Sequence, residues 1–134
     1  MRFEQLHLGM KDSTTKTITE EDILLFAKVS TDTNPLHIDA EAAKKGMFGK
    51  QVAHGILVSG LISAVLGTKL PGEGTVYLGQ ELRFKRPVFI NDTITAEVEV
   101  IELREEKKLV ILKTTCVNQD GVEVISGQAT VMVK

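Results

Sequence analysis

Between Thr93 and Ile101 apolar and polar residues alternate, with Ile94, Ala96, Val98 and Val100 on one face and Thr95, Glu97 and Glu99 on the other. A period of two marks a strand in a sheet that is dry on one side and wet on the other. Leu109–Val117 and Val122–Val133 continue the pattern, joined by turns at Glu105-Glu106-Lys107 and Asn118-Gln119-Asp120-Gly121. With Thr75–Ile90 these segments predict a strand meander. From Gly55 to Lys69 the pattern changes: Ile56, Leu57, Val58, Leu61, Ile62, Val65 and Leu66 cover nearly every side of a helix, as in a helix buried all round. Gly60, Ala64 and Gly67 are small enough for a neighbouring layer to approach closely, and Pro71-Gly72-Glu73-Gly74 ends the element.

Upstream, Thr19 is placed to cap a turn carrying Glu20, Glu21 and Asp22, where acids suit the helix dipole. Ile23, Phe26 and Ala27 give this helix an apolar face. It is expected to end near Ser30, because Pro35 lacks an amide hydrogen and pushes Asn34 away from helical angles. A loop is expected next. Asp39 then caps a short helix through Lys45, with Gly46 as its stop, and Met47–Val52 reads as loop. Helices followed by consecutive strands predict an α+β fold: an antiparallel sheet curved around one long apolar helix, the hot-dog arrangement, with short overhanging helices.

The length of 134 residues suits one domain, 1–134, and an apolar share of 43% with 25% charged residues excludes disorder. The net charge of -2 is spread without a block of one sign, so no nucleic-acid partner is expected. The N-terminal stretch lacks a signal-peptide core and no apolar run reaches the roughly 18 residues of a membrane span, which predicts a cytosolic protein. Cys116, the single cysteine, sits among alternating apolar residues and reads as a buried structural thiol.

Three histidines occur, and His37 and His54 lie beside loop or helix-start signals, whereas His7 falls in the N-terminal strand region. An extended chain would hold Asp32 and His37 about 16 Å apart, too far to share a water. Asn34-Pro35 supplies a turn that brings both to one cavity, although an Asp before Asn-Pro is also a common turn former. His54-Gly55 opens the buried helix, whose first amides have no internal partners and can bond a carbonyl oxygen as charge develops on it. Gly55 admits a ligand, or simply permits tight entry into a crowded helix.

Three blocks now carry a resemblance: D-T-N-P-L-H-I-D from Asp32, A-H-G-I-L-V-S-G-L-I-S from Ala53, and Y-L-G-Q-E-L-R-F-K-R-P-V from Tyr77. In this order they resemble the (R)-specific enoyl-CoA hydratases of the MaoC-like group, over essentially the whole chain. The resemblance implies a hot-dog homodimer acting on an acyl-CoA, with Asp32 and His37 as the catalytic pair and the Gly55 amide on the thioester oxygen. It places Ser63, Leu66 and Val131 in the acyl pocket, and Asn34 and His54 are counted with the substrate-binding residues. Thr31 stands where many members have Gly. Leu66 and Val131 are also what a core would carry, and a hydroxyl such as that of Ser63 also bonds the carbonyl one turn back.

The chemistry so implied is hydration of a trans-2-enoyl thioester. Asp32 takes a proton from water as it attacks C3, and His37 holds the water and supplies a proton to C2, adding both to one face. Bulky Leu66 and Val131 imply short chains. No cofactor is expected beyond coenzyme A as part of the substrate, and no metal. Arg83, Lys85 and Arg86 are candidates for its phosphates, as are Lys44, Lys45 and Lys50, or they are solubilising charges. A hydroxyacyl-carrier-protein dehydratase using the same residues, a thioesterase, and a non-catalytic acyl-thioester binding module remain alternatives.

Overall fold

Helix α1 (Glu20–Ser30) begins where side-chain chemistry places it. Thr19 Oγ1 accepts the Asp22 amide at 3.1 Å and Asp22 Oδ2 accepts the Thr19 amide at 3.0 Å, so two otherwise orphaned donors are satisfied reciprocally. Ile23 and Ala27 are buried and Thr31 closes the helix in a left-handed conformation. The computed structural model describes residues 1–134.

The expected loop after α1 contains a helical turn, α2 (Pro35–Ile38). Asn34 Oδ1 caps it by accepting the Leu36 amide at 3.1 Å. Pro35 sits in its first turn, where the absent N–H would have had no partner. The proline that stops α1 thus starts α2. Asp39 caps α3 (Ala40–Lys44), accepting the Glu41 and Ala42 amides at 2.9 and 3.2 Å.

Five strands form one antiparallel sheet: β1 (Lys11–Thr17), β2 (Val76–Phe84), β3 (Thr93–Arg104), β4 (Leu109–Val117) and β5 (Glu123–Met132). Their order is β1-β3-β4-β5-β2, which corrects the simple meander. Only β3, β4 and β5 follow one another across the sheet, whereas β2 lies at the far edge beside β5. The expected strand Thr75–Ile90 stops at Phe84 because the chain must leave that edge, and Pro87 has no amide to pair. Residues 85–92 cross past the start of the long helix, where the Ala53 amide donates to the Val88 carbonyl at 2.7 Å and Val52 bridges Phe89. His7 is exposed and precedes β1, a polar edge strand tied to β3 by the Thr15–Thr95 and Thr17–Thr93 hydroxyl pairs at 2.8 Å.

Helix α4 (Gly55–Thr68) packs chiefly on β3, burying Val58, Ile62, Val65 and Leu66 against Ile94, Ala96, Val98, Leu112 and Ala129. It is not buried all round. Gly60, Ser63, Ala64 and Gly67 are exposed, and Ile56 is 56% exposed, because one sheet covers only one side of a helix. Cys116 belongs to the core, and burial pushes its thiol up to about 12, so it has no thiolate to offer near neutral pH.

Candidate active site

The short helices and the start of α4 bring the three polar residues together. A carboxylate oxygen of Asp32 and a ring nitrogen each of His37 and His54 lie within 4.8 Å of one another. One water forming two hydrogen bonds of about 2.8 Å spans up to about 5.6 Å, so the acid and the imidazole can share it.

Each is held from behind. The Asp32 amide donates to Ser30 Oγ at 3.1 Å, and Ser30 donates in turn to the Phe26 carbonyl at 2.7 Å. Asp32 Oδ1 accepts the Asn34 amide at 3.2 Å, which leaves Oδ2 for a water. The loop is exposed, but its main chain is fixed at both sides. His37 Nδ1 lies 2.7 Å from the Val52 carbonyl, which can only accept, so Nδ1 carries hydrogen and Nε2 is free for chemistry. Gln51 adds a bond to the His37 carbonyl at 2.9 Å. His54 is 2% exposed, donates Nε2–H to the Asp32 carbonyl at 2.9 Å, and stacks on His37 with centroids 3.9 Å apart.

The first bond within α4 runs from the Val58 amide to the His54 carbonyl at 3.3 Å, so the amides of Gly55, Ile56 and Leu57 precede the ladder. The side chain of His54 caps none of them. Any Cβ at position 55 would lie 2.6 Å from the Phe84 ring, and glycine alone lets that ring approach. A cavity of about 350 Å³ opens here, with His37 and Gly55 in its wall beside apolar Leu36, Phe48, Val58 and Phe84. That volume is at the small end for ligand pockets.

The residues expected to meet substrate fall into two groups. Asp32, His37 and His54 converge, His37 and Gly55 share the cavity wall, and Asn34 stands between the pair as the cap of α2. Ser63 is exposed on α4, Leu66 and Val131 lie in the core, and none of these three lines the cavity. Ser59, not Ser63, bonds a carbonyl in the preceding turn, that of Ile56 at 2.7 Å. Of the basic residues, Lys85 and Arg86 line the cavity and Arg83 does not, since strand alternation ends at Phe84. Sequence reasoning did not pick out the Val52 carbonyl, Ser30, Phe48 or Phe84.

The family model of the MaoC like domain matches residues 4–122. The chain belongs to the MaoC-like family. Within that MaoC-like group it is 52% identical, over 98% of this chain and 90% of the relative, to an (R)-specific enoyl-CoA hydratase of Rhodospirillum rubrum. The solved (R)-hydratase of Aeromonas caviae involved in PHA biosynthesis superposes with a TM-score of 0.95 at 41% identity, covering 98% of this chain and 99% of that one. An unliganded R-hydratase of Pseudomonas aeruginosa gives 0.93 at 45% identity, covering 98% and 84%. The MaoC-like fold is thus the hot-dog arrangement expected from the helix and strand pattern.

Proposed function

We propose that this protein catalyses reversible, (R)-specific hydration of short trans-2-enoyl-CoA thioesters. The observation that carries the reading is that Asp32 and His37 come within reach of one water, next to a helix start whose Gly55 amide precedes the hydrogen-bond ladder. The thioester oxygen accepts that amide hydrogen, and charge pushed onto it by attack at C3 is stabilised at the positive end of α4. Asp32 Oδ2 takes one proton of the water as its oxygen bonds to C3. The lone pair of the water oxygen forms the C3–O bond, and the π pair of the double bond takes a proton at C2 from Nε2 of the His37 imidazolium. The proton taken by Asp32 then passes to His37 to restore the pair. Base and acid lie on one side, which supports syn addition, and the relatives' specificity supports the (R) product. Water adds without net electron transfer, so the reaction calls for no redox cofactor, and these groups serve it without a metal.

The protein works as a homodimer in the cytosol. The open face of α4 supports the dimer: a methyl group added at Gly60 or Gly67 would meet nothing within 4 Å, and Ile56 is 56% exposed. A second copy lying there covers it. Ser63, Leu66 and Val131 lie outside the cavity wall, so they meet the acyl chain only if it passes beyond the cavity along α4, and Asn34 keeps the pair in register. Arg86, which has no carboxylate partner, meets the phosphates of coenzyme A, with Lys85 shared with Glu123 at 3.7 Å. No helix is long and apolar enough to cross a membrane.

The test is Asp32→Asn assayed for hydration of crotonyl-CoA, with chiral analysis of the product and thermal unfolding in parallel. A loss of about 10²–10⁴-fold in kcat with an unchanged melting temperature is expected. A folded variant with wild-type turnover would remove Asp32 from the mechanism. Release of free thiol without a 3-hydroxyacyl product would make the enzyme a thioesterase.

A further inference from the structure

His54 does no chemistry in the reaction above, yet it is the most enclosed polar side chain of the site, 2% exposed. Its Nε2–H donates to the Asp32 main-chain carbonyl at 2.9 Å. One face of its ring lies on His37, with centroids 3.9 Å apart and planes inclined by 27°. Phe26 closes the pocket edge-on at 4.8 Å and 61°. Its main chain leads directly into Gly55. One residue therefore touches, or is bonded to, each of the three groups on which hydration depends.

The remaining nitrogen, Nδ1, is buried with no hydrogen-bond partner. An unpaired buried acceptor is a standing cost that a packing residue would avoid by being apolar. That cost is offset by the groups the histidine does hold. The bond to Asp32 also settles the tautomer, with hydrogen on Nε2. The ring then offers its π face to a neighbour that is cationic whenever His37 carries the proton destined for C2.

We infer that His54 is the positioning residue of the catalytic pair: its Nε2–H holds the Asp32 main chain while its ring face seats the His37 imidazole. The water between them is thereby aimed at a thioester bound on the next residue's amide. This rests on the hydratase reading. A displacement of about 1 Å between reacting groups is enough to cost roughly 10²-fold in rate, so two anchors on one rigid ring matter.

Two variants separate the anchors. His54→Gln keeps an N–H donor and loses the ring, whereas His54→Phe keeps a ring on His37 and loses the donor. Each is assayed with crotonyl-CoA beside wild type, with thermal unfolding alongside. Both are expected to unfold cooperatively and to lose on the order of 10–100-fold in kcat, with KM within about twofold. In a His37→Ala background, His54→Gln is expected to cost little more, because the partner it seats is gone. Unchanged kcat in both variants would overturn the inference, as would a raised KM at constant kcat, which is the sign of a substrate contact. Loss of cooperative unfolding in both would make His54 structural and overturn it too. Wild type inactive on enoyl-CoA would instead fell the hydratase reading and this inference with it.

Discussion

Thr31 closes α1 at φ 67° and ψ 9°, a region where a β-carbon crowds the following carbonyl at a cost of about 1–2 kcal/mol. It is the residue immediately before Asp32. The strain is tolerated because Ser30 and His54 hold the main chain on either side of the Asp32 α-carbon. Glycine adopts the same angles without strain but loses more freedom on folding, by about 0.5–1 kcal/mol. Thr31→Gly is therefore expected to stabilise by about 0.5–1 kcal/mol and to leave kcat unchanged, since no atom of the pair moves. Urea unfolding with a crotonyl-CoA assay checks both, and a lowered midpoint would mean that the threonine side chain contributes more than its strain costs. The left-handed angle itself was not legible in the chain. Thr31 was noticeable only as a departure from glycine.

At the scale of elements, what could be read followed from interactions a few residues apart. The cap expected of Thr19 forms, and Asp22, three positions on, returns it by accepting the Thr19 amide, which completes a capping box. Pro35 both stops α1 and starts α2, because it has no N–H to satisfy in a first turn and Asn34 Oδ1 accepts the next amide, that of Leu36. Strand β1 carries no apolar alternation, as an edge strand with polar faces need not, so the pattern marks an N-terminal strand region without its bounds. The place of β2 beside β5 depends on partners some fifty residues away, which local periodicity does not encode. The capping box makes a separable prediction. The hydrogen bond from the Thr19 amide holds the Asp22 carboxyl below its ordinary range, and Lys16 at 3.1 Å adds to this. A carboxyl depressed in the folded state contributes stability above its unfolded value of 3.8, and the contribution is lost as pH falls through the lower folded value. Asp22→Asn is expected to cost about 0.3–1 kcal/mol at pH 7, nearer the lower figure in salt because the group is close to solvent. Once the pH is below the folded value of Asp22, wild type and variant should unfold at the same urea concentration. A gap that persists there would assign the difference to packing rather than charge.

At the scale of the molecule, the acyl end of the site decides which substrates are used. Sequence brought the reacting residues together from two segments, but the walls were harder to read, since Val52 acts through a main-chain carbonyl and Phe84 through a ring laid over Gly55. Neither role leaves a mark on residue type. Leu66 and Val131 are 1% and 0% exposed in the core, while the cavity beside Gly55 is walled by Phe48 and Phe84. These are competing limits on chain length. If the chain runs between α4 and the sheet, Leu66→Ala or Val131→Ala lengthens its path, and an added methylene in such a pocket is worth about 1–3 kcal/mol. The ratio of kcat/KM for the C8 over the C4 enoyl-CoA is then expected to rise by about tenfold or more in either variant. Removing buried methyl groups also destabilises, by about 2–5 kcal/mol for Leu66→Ala, so the assay belongs well below the melting temperature of each variant. If both variants remain folded with the wild-type ratio, the acyl end lies elsewhere, and Phe84→Ala should then be the change that admits longer chains.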